Sequence, residues 1–352
     1  MSEATMSTTE AGAPPEPGQP ATGAPWPAPG RPGPPDLGRH LERAILPLAW
    51  VLVIVGFGAA EPSRFLTVAN FSNIFGSNAV LFVLAMALLV PLTNGDIDLS
   101  VGAMSGLVSM VVAVLNVNHG VPIVWCCLIG LVVGLVCGAI NGLIVISVNA
   151  DPFIVTLGTG TVFTGIVYWL SGEATITGVA SGLSSWTYIN QLWGIPIEFY
   201  YGLGLMLVIW YVLTFTPFGQ RSLFVGRNRE VARLSGFEVS RTRLVGFVVA
   251  GLITAISGVL YAGTTGSASP STGDTLLLPA YAAAFLGLTT IQPGRFNAWG
   301  TGIAIYFLAT GIAGLELYGA QAFVQQLFYG GILVIAIVIS RLIARRRYGR
   351  GT

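Results

Sequence analysis

No lysine occurs anywhere in the 352 residues; every one of the sixteen Lys+Arg positions is arginine. A phosphate-binding P-loop needs a lysine to reach the nucleotide's phosphates. The chain therefore holds no such motif, and any ATP that drives it must be hydrolysed on another polypeptide. Charge of either sign is scarce, at 9% of residues, against about 25% in a soluble domain. With 53% of residues hydrophobic, the composition excludes a soluble enzyme and indicates a polytopic membrane protein. The three cysteines, Cys126, Cys127 and Cys137, share one apolar run and suit packing better than a disulfide framework or a metal site. The two histidines, His40 and His119, are far apart and outside the apolar runs, so neither a metal site nor a catalytic triad is built from them.

Residues 1–38 hold ten of the twenty prolines and no long apolar run. Such a stretch can neither bury a core nor span a bilayer, and it lacks the apolar core of a cleavable signal. It reads as a disordered cytosolic tail. Residues 39–342 read as one transmembrane domain, and 343–352 as a short basic tail. Ten apolar runs lie between, at 44–60, 76–93, 101–117, 122–147, 153–171, 200–217, 244–264, 279–294, 297–315 and 323–341. A helix needs about 20 residues to cross the hydrocarbon, so the expected architecture is an all-α membrane protein of about ten transmembrane helices. Gly142-Leu143 before Phe153-Ile154-Val155, and Gly314-Leu315 before Phe323-Val324-Gln325, hint at an inverted repeat, a device common in transporters.

Arginines orient such helices, because basic loops stay in the cytosol. Arg39 and Arg43 precede the first run, six arginines between Arg221 and Arg243 follow the sixth, Arg295 follows the eighth, and Arg341 to Arg350 follow the tenth. An even number of crossings separates these groups, so all fall on one side together with both termini. Arg64 alone falls on the other side. The loops 172–199, with Trp186, Tyr188, Trp193 and Glu198, and 265–278 are then external. The aromatic residues of 172–199 either anchor at the headgroups or dock a soluble protein, and 265–278, with Ser267, Ser269, Pro270, Ser271 and Asp274, is the second external candidate.

The most distinctive polar stretch runs from Gly226 to Gly236. Asn228 can cap a helix N-terminus, Glu230 suits the positive end of the helix dipole, and Gly236 can take the left-handed conformation that ends a helix. The spacing predicts a helix of about two turns, with Val231 and Leu234 on one face and Arg229 and Arg233 on another. It is either an amphipathic helix held out for a partner or an ordinary basic loop.

This stretch, Gly226-x-Asn228-x-Glu230-x-Ala232-Arg233-Leu234-Ser235-Gly236, resembles the coupling loop of ABC importer permeases of the ribose/xylose type. Asn94-Gly95-Asp96-Ile97-Asp98-Leu99-Ser100-Val101-Gly102, Asn141-Gly142-Leu143 with Pro152 to Thr159, and Gly266-Ser267-Ala268-Ser269-Pro270 resemble further family segments in the same order. The likeness spans roughly 44–342. Two departures stand out: Asn94-Gly95-Asp96 replaces the usual Gly-Gly, and a late glycine-rich turn reads Gln292-Pro293-Gly294-Arg295-Phe296-Asn297. The resemblance implies a bacterial inner-membrane permease that binds no cofactor itself. ATP and Mg would sit on a partner ABC ATPase docked at 226–236. A second permease copy would complete the pathway, and an external substrate-binding protein would deliver a monosaccharide. Nucleic acid has no place in this reading.

Polar groups inside the bilayer are expensive, and those retained usually face a cavity or a partner. Asn94, Asp96, Asp98 and Ser100 interrupt two apolar runs on the cytosolic side, and the free amides of the following helix start could join them in binding hydroxyls. The alternative is a capping turn without solute contact. Thr156, Thr159 and Thr161 open the fifth run, where threonine often bonds its own helix. Gln325, Gln326, Thr289, Thr290 and Gln292 complete the pathway candidates. A nucleoside, inositol or furanose cargo is an open alternative, as is an ATP-independent secondary transporter. An enzyme is the least supported reading, since no nucleophile has a base at useful spacing.

Overall fold

The structure, a computed structural model, describes residues 37–348, with side chains from 43 to 338. Nearly all of the expected tail at 1–38 and the last four residues of the basic tail at 343–352 lie outside the described residues.

The chain is built of helices. α1 (Leu37–Ala60) is followed by one turn, α2 (Pro62–Phe65), then by α3 (Val68–Ser77) and α4 (Ala79–Thr93). After a break come α5 (Val101–Ala113), extended by a π-helical turn to Asn118, α6 (Ile123–Ser147) and α7 (Pro152–Ser171). A loop with β1 (Ile176–Thr177), α8 (Ser181–Ser184), β2 (Gln191–Leu192) and β3 (Ile195–Pro196) leads to α9 (Ile197–Phe215). Next are α10 (Pro217–Arg227), α11 (Arg229–Leu234) and α12 (Val239–Thr265). β4 (Ser267–Ala268), α13 (Thr272–Gly287), α14 (Ala298–Leu317) and α15 (Ala322–Tyr348) follow. β1 pairs antiparallel with β4, placing Ile176 opposite Ala268. β2 and β3 form a second short ladder.

Every predicted run has a helix. Among the described residues, eight helical spans are long and apolar enough to cross a membrane; α13, and α15 as far as Val338, are shorter. The eighth run needs correcting. The expected helix at 279–294 begins earlier and ends at Gly287, so much of the expected external loop at 265–278 is helical. Thr272, Asp274 and Thr275 make the first turn polar and hide it from a hydropathy reading. Thr289, Thr290 and Gln292 consequently lie in a turn, where Ile291 and Gly294 both have positive φ. Asn297 closes that turn by donating to the Gly287 carbonyl at 3.1 Å and capping α14 through Gly300 N–H at 2.7 Å.

α4 is apolar on all sides and every residue in it is buried, as expected of a helix without a polar face. It forms the core with α5, α9, α12, α13 and α14. α1, α6 and α7 lie outside and expose Leu52, Val132, Ile154 and Trp169, which is the surface a lipid-facing helix presents. α6 and α12 approach backbone to backbone. A Cβ at Gly134, Gly138 or Gly251 would collide with the facing main chain, the small-residue contact by which membrane helices associate. All three cysteines are free, and Cys126 and Cys137 are buried.

Candidate functional site

The break between α4 and α5 is folded into the bundle. Gly95 takes φ +75° and turns the chain after α4. Asp98 then accepts the Ser100 N–H at 3.0 Å and the Ser100 hydroxyl at 2.6 Å on one oxygen, Oδ1. Ser100 Oγ in turn accepts from Asn141 Nδ2 on α6 at 2.7 Å. Thr156, on the first turn of α7, accepts the Leu99 N–H at 2.9 Å and donates back to the Pro152 carbonyl at 2.8 Å. Tyr281 on α13 donates to the Asp98 carbonyl at 2.8 Å. Three helices, α6, α7 and α13, thus hold one short segment.

Asp98, Ser100, Asn141 and Thr156 are fully buried. Two of their acceptors, Asp98 Oδ2 and Asn141 Oδ1, have no hydrogen-bond partner. An unsatisfied buried polar atom costs about 1–3 kcal/mol, so such atoms in native structures call for an explanation. Both residues are bonded to the same Ser100 hydroxyl. The arrangement offers two acceptors, each able to take a hydrogen bond from an incoming O–H or N–H donor.

The first half of the break is occupied differently. Asp96 is also fully buried, but Arg243 grips it in a fork: Nε lies 3.1 Å from Oδ1 and 3.0 Å from Oδ2, and an Nη lies 2.7 Å from Oδ1. Arg229 donates to the same Oδ1 at 2.7 Å and to the Gly95 carbonyl at 3.0 Å. Asn94 donates to the Thr242 carbonyl at 3.4 Å, while its own buried Oδ1 is a third acceptor without a hydrogen-bond partner.

α11 lies against this half. Asn228 caps it, accepting from Glu230 N–H at 3.0 Å and Val231 N–H at 3.1 Å. Gly236 ends it at φ +83°. Ala232 faces inward and is buried, whereas Val231 and Leu234 are exposed at 48% and 77%. Arg233 donates to Glu230 at 2.7 Å on the outer surface, and that hydrogen bond, with the carboxylate's charge, raises the guanidinium's pKa further. Ser235 turns its hydroxyl back to the Val231 carbonyl at 2.8 Å. Gly226 meets the end of α4 so closely that a Cβ would collide with the Thr93 carbonyl oxygen. Beside α11 an open cleft of about 620 Å³ is lined by Arg221, Gly236, Phe237 and Arg241 among others.

The other candidates scatter. Thr159 and Thr161 bond backward within α7. Gln325 bonds Glu316, where α14 ends and α15 begins, far along the chain and the bundle from the break. Thr290 donates to the Arg43 carbonyl at 2.7 Å. Glu198, expected in an outer loop, is buried in the first turn of α9 and takes the Thr264 hydroxyl. Sequence reasoning missed Asn141, Tyr281 and Arg243 as parts of the break. A buried amide in an otherwise apolar helix was the available signal for Asn141; nothing in the sequence singles out Tyr281.

An apolar helical bundle, a buried polar break with open acceptors, and a short amphipathic helix riveted to it define a multi-pass membrane permease. The chain belongs to the family described as branched-chain amino acid transport system / permease component, which matches residues 70–337. It is 33% identical to the ribose import permease protein of Bacillus subtilis (strain 168) over 293 residues, covering 83% of this chain and 90% of that one. It is 30% identical to the D-allose transport system permease protein of Escherichia coli (strain K12) over 294 residues, covering 84% and 90%. With the autoinducer 2 import system permease protein of Escherichia coli (strain K12) it shares 31% over 295 residues, covering 82% and 88%. No solved structure gives a significant match. The family and the long apolar helices make this a multi-pass protein of the bacterial inner membrane.

Proposed function

We propose that this chain is the membrane-spanning permease subunit of an ATP-binding-cassette importer for a monosaccharide. The observation that carries the reading is the set of open buried acceptors at the α4–α5 break, Asp98 Oδ2 and Asn141 Oδ1 around Ser100 together with Asn94 Oδ1. A sugar arrives with hydroxyl donors, and neighbouring hydroxyls can satisfy these oxygens while the solute passes. Relatives named for ribose, D-allose and autoinducer 2 lie at nearly equal identity, which supports a small polyhydroxylated cargo.

The chain is not an enzyme in this reading. ATP and Mg sit on a separate ATPase subunit, which docks on α11. The exposed Val231 and Leu234 supply an apolar patch for that partner, ringed by Glu230 and Arg233. A soluble binding protein brings solute to the opposite face, and a second copy of the chain encloses the pathway. The end carrying α11 is cytosolic, because Arg43, Arg229, Arg243 and the Gln292–Asn297 turn gather around it.

The test is uptake of labelled pentoses and hexoses into proteoliposomes containing the chain, its ATPase and its binding protein. The proposal expects ATP-dependent uptake of one monosaccharide, weakened at least tenfold by Asp98→Ala. Normal uptake in that variant would remove the break from the pathway.

A further inference from the structure

Asp96 stands where the resemblance leads one to expect a glycine, and it is placed unlike its neighbour Asp98. Neither of its oxygens is open: Arg243 holds both, and Arg229 shares Oδ1. It therefore offers a solute nothing. The two arginines belong to different elements. Arg243 is buried on α12, with 6% of its side chain exposed. Arg229 opens α11 and is 41% exposed. Asp96 is two residues from Asp98, whose Oδ1 binds Ser100. The contact is reinforced by main chain, since Gly226 packs against Thr93 and a Cβ on Gly95 would touch the Gly226 carbonyl oxygen at 3.4 Å.

We propose that the Arg229–Asp96–Arg243 ion-pair joint transmits displacement of α11 to the solute-binding half of the break, making Asp96 a positioning residue and not a solute ligand. The proposal rests on the importer reading above. Charge-assisted, forked hydrogen bonds are short and directional, so a shift of Arg229 is passed to Asp96 with little slack. Arg243 ties the same carboxylate to α12, so α11, the break and α12 meet at one residue. Two residues of chain then carry it to Asp98 and the open acceptors. Arg233 has no part in this, because it is paired with Glu230 on the outer surface.

Arg229→Gln isolates the joint from the fold. Arg229 is partly exposed, and Asp96 keeps its buried partner Arg243. Two measurements are made on the full chain. In proteoliposomes with the ATPase and binding protein, the solute moved per ATP hydrolysed is compared. The joint predicts a roughly tenfold fall in that ratio for Arg229→Gln and recovery of at least half in Arg229→Lys. If the arginine merely helped the ATPase to dock, uptake and hydrolysis would fall together and the ratio would hold, which overturns the proposal. In the purified chain without any partner, hydrogen exchange is read at residues 93–99. The joint predicts exchange faster by tenfold or more in Arg229→Gln, and unchanged exchange overturns it. This second arm decides the joint even if the wild-type chain shows no ATP-dependent uptake, an outcome that would defeat the importer reading instead.

Discussion

Asp96 and Asp98 in the break and Asp151 at the start of α7 have three different environments. Asp96 is neutralised by two arginines. Asp98 is buried with one oxygen open. Asp151 is exposed and caps α7 by accepting from Phe153 N–H at 2.9 Å. Their alanine variants should separate accordingly. Asp98→Ala removes an acceptor from the pathway and should lower uptake at least tenfold. Asp151→Ala loses a helix cap worth about 0.5–2 kcal/mol and should leave uptake within about twofold. Equal effects in the uptake assay would contradict the assignment. Arg243→Met leaves Asp96 buried with a partly exposed partner only. Removing one member of a buried ion pair costs about 3–5 kcal/mol, so its thermal unfolding midpoint in detergent should drop clearly. An unchanged midpoint would show that the fork contributes nothing to the fold.

Local signals were readable along the chain, and distant pairings were not. Asn228, Glu230 and Gly236 announce a short helix because capping depends on neighbours within a turn, and α11 has those bounds. The arginine parity is equally local, needing only a count of crossings; the contacts themselves are pairwise, Arg229 reaching the break at the Gly95 carbonyl and Thr290 reaching the Arg43 carbonyl. The grip of Arg243 on Asp96 spans 147 positions; no spacing rule foretells it. Asp96 and Asp98 looked equivalent in sequence because what separates them is supplied by α11, α12 and α6. α13 was misplaced since its first turn is polar and Pro279 lies inside it, where a proline usually starts or breaks a helix. Nothing in the sequence signals that Glu198 meets Thr264.

At the scale of elements, α11 and the α6–α12 contact make separate predictions. Gly236→Pro cannot take the positive φ that ends α11, and Glu230→Arg reverses the charge that pairs with Arg233. Both should lower uptake severalfold while the amount of membrane-inserted protein persists, as judged by immunoblot of washed membranes. Loss of the inserted protein itself would point to a folding role instead. Gly138→Leu forces a side chain into the main chain of α12. Overpacking of this kind costs about 1–3 kcal/mol, and should lower the unfolding midpoint of the detergent-purified chain. Gly158→Leu on α7 meets nothing within 4 Å and should not. Equal midpoints for the two variants would refute the packing described for α6 and α12.

For the whole molecule, the absence of lysine and the presence of α11 lead to the same point. The chain has no lysine with which to build a P-loop, and α11 shows Val231 and Leu234 to solvent, where the proposed ATPase would dock. In the proposed importer the apolar bundle is the barrier, the break offers acceptors to hydroxyls, and the Arg229–Asp96–Arg243 joint connects the break to α11. The most direct measurement is monosaccharide uptake by proteoliposomes containing this chain and the binding protein, with and without the ATPase and ATP. The account predicts accumulation that needs both. Accumulation by the chain alone, driven by a proton or sodium gradient, would contradict it.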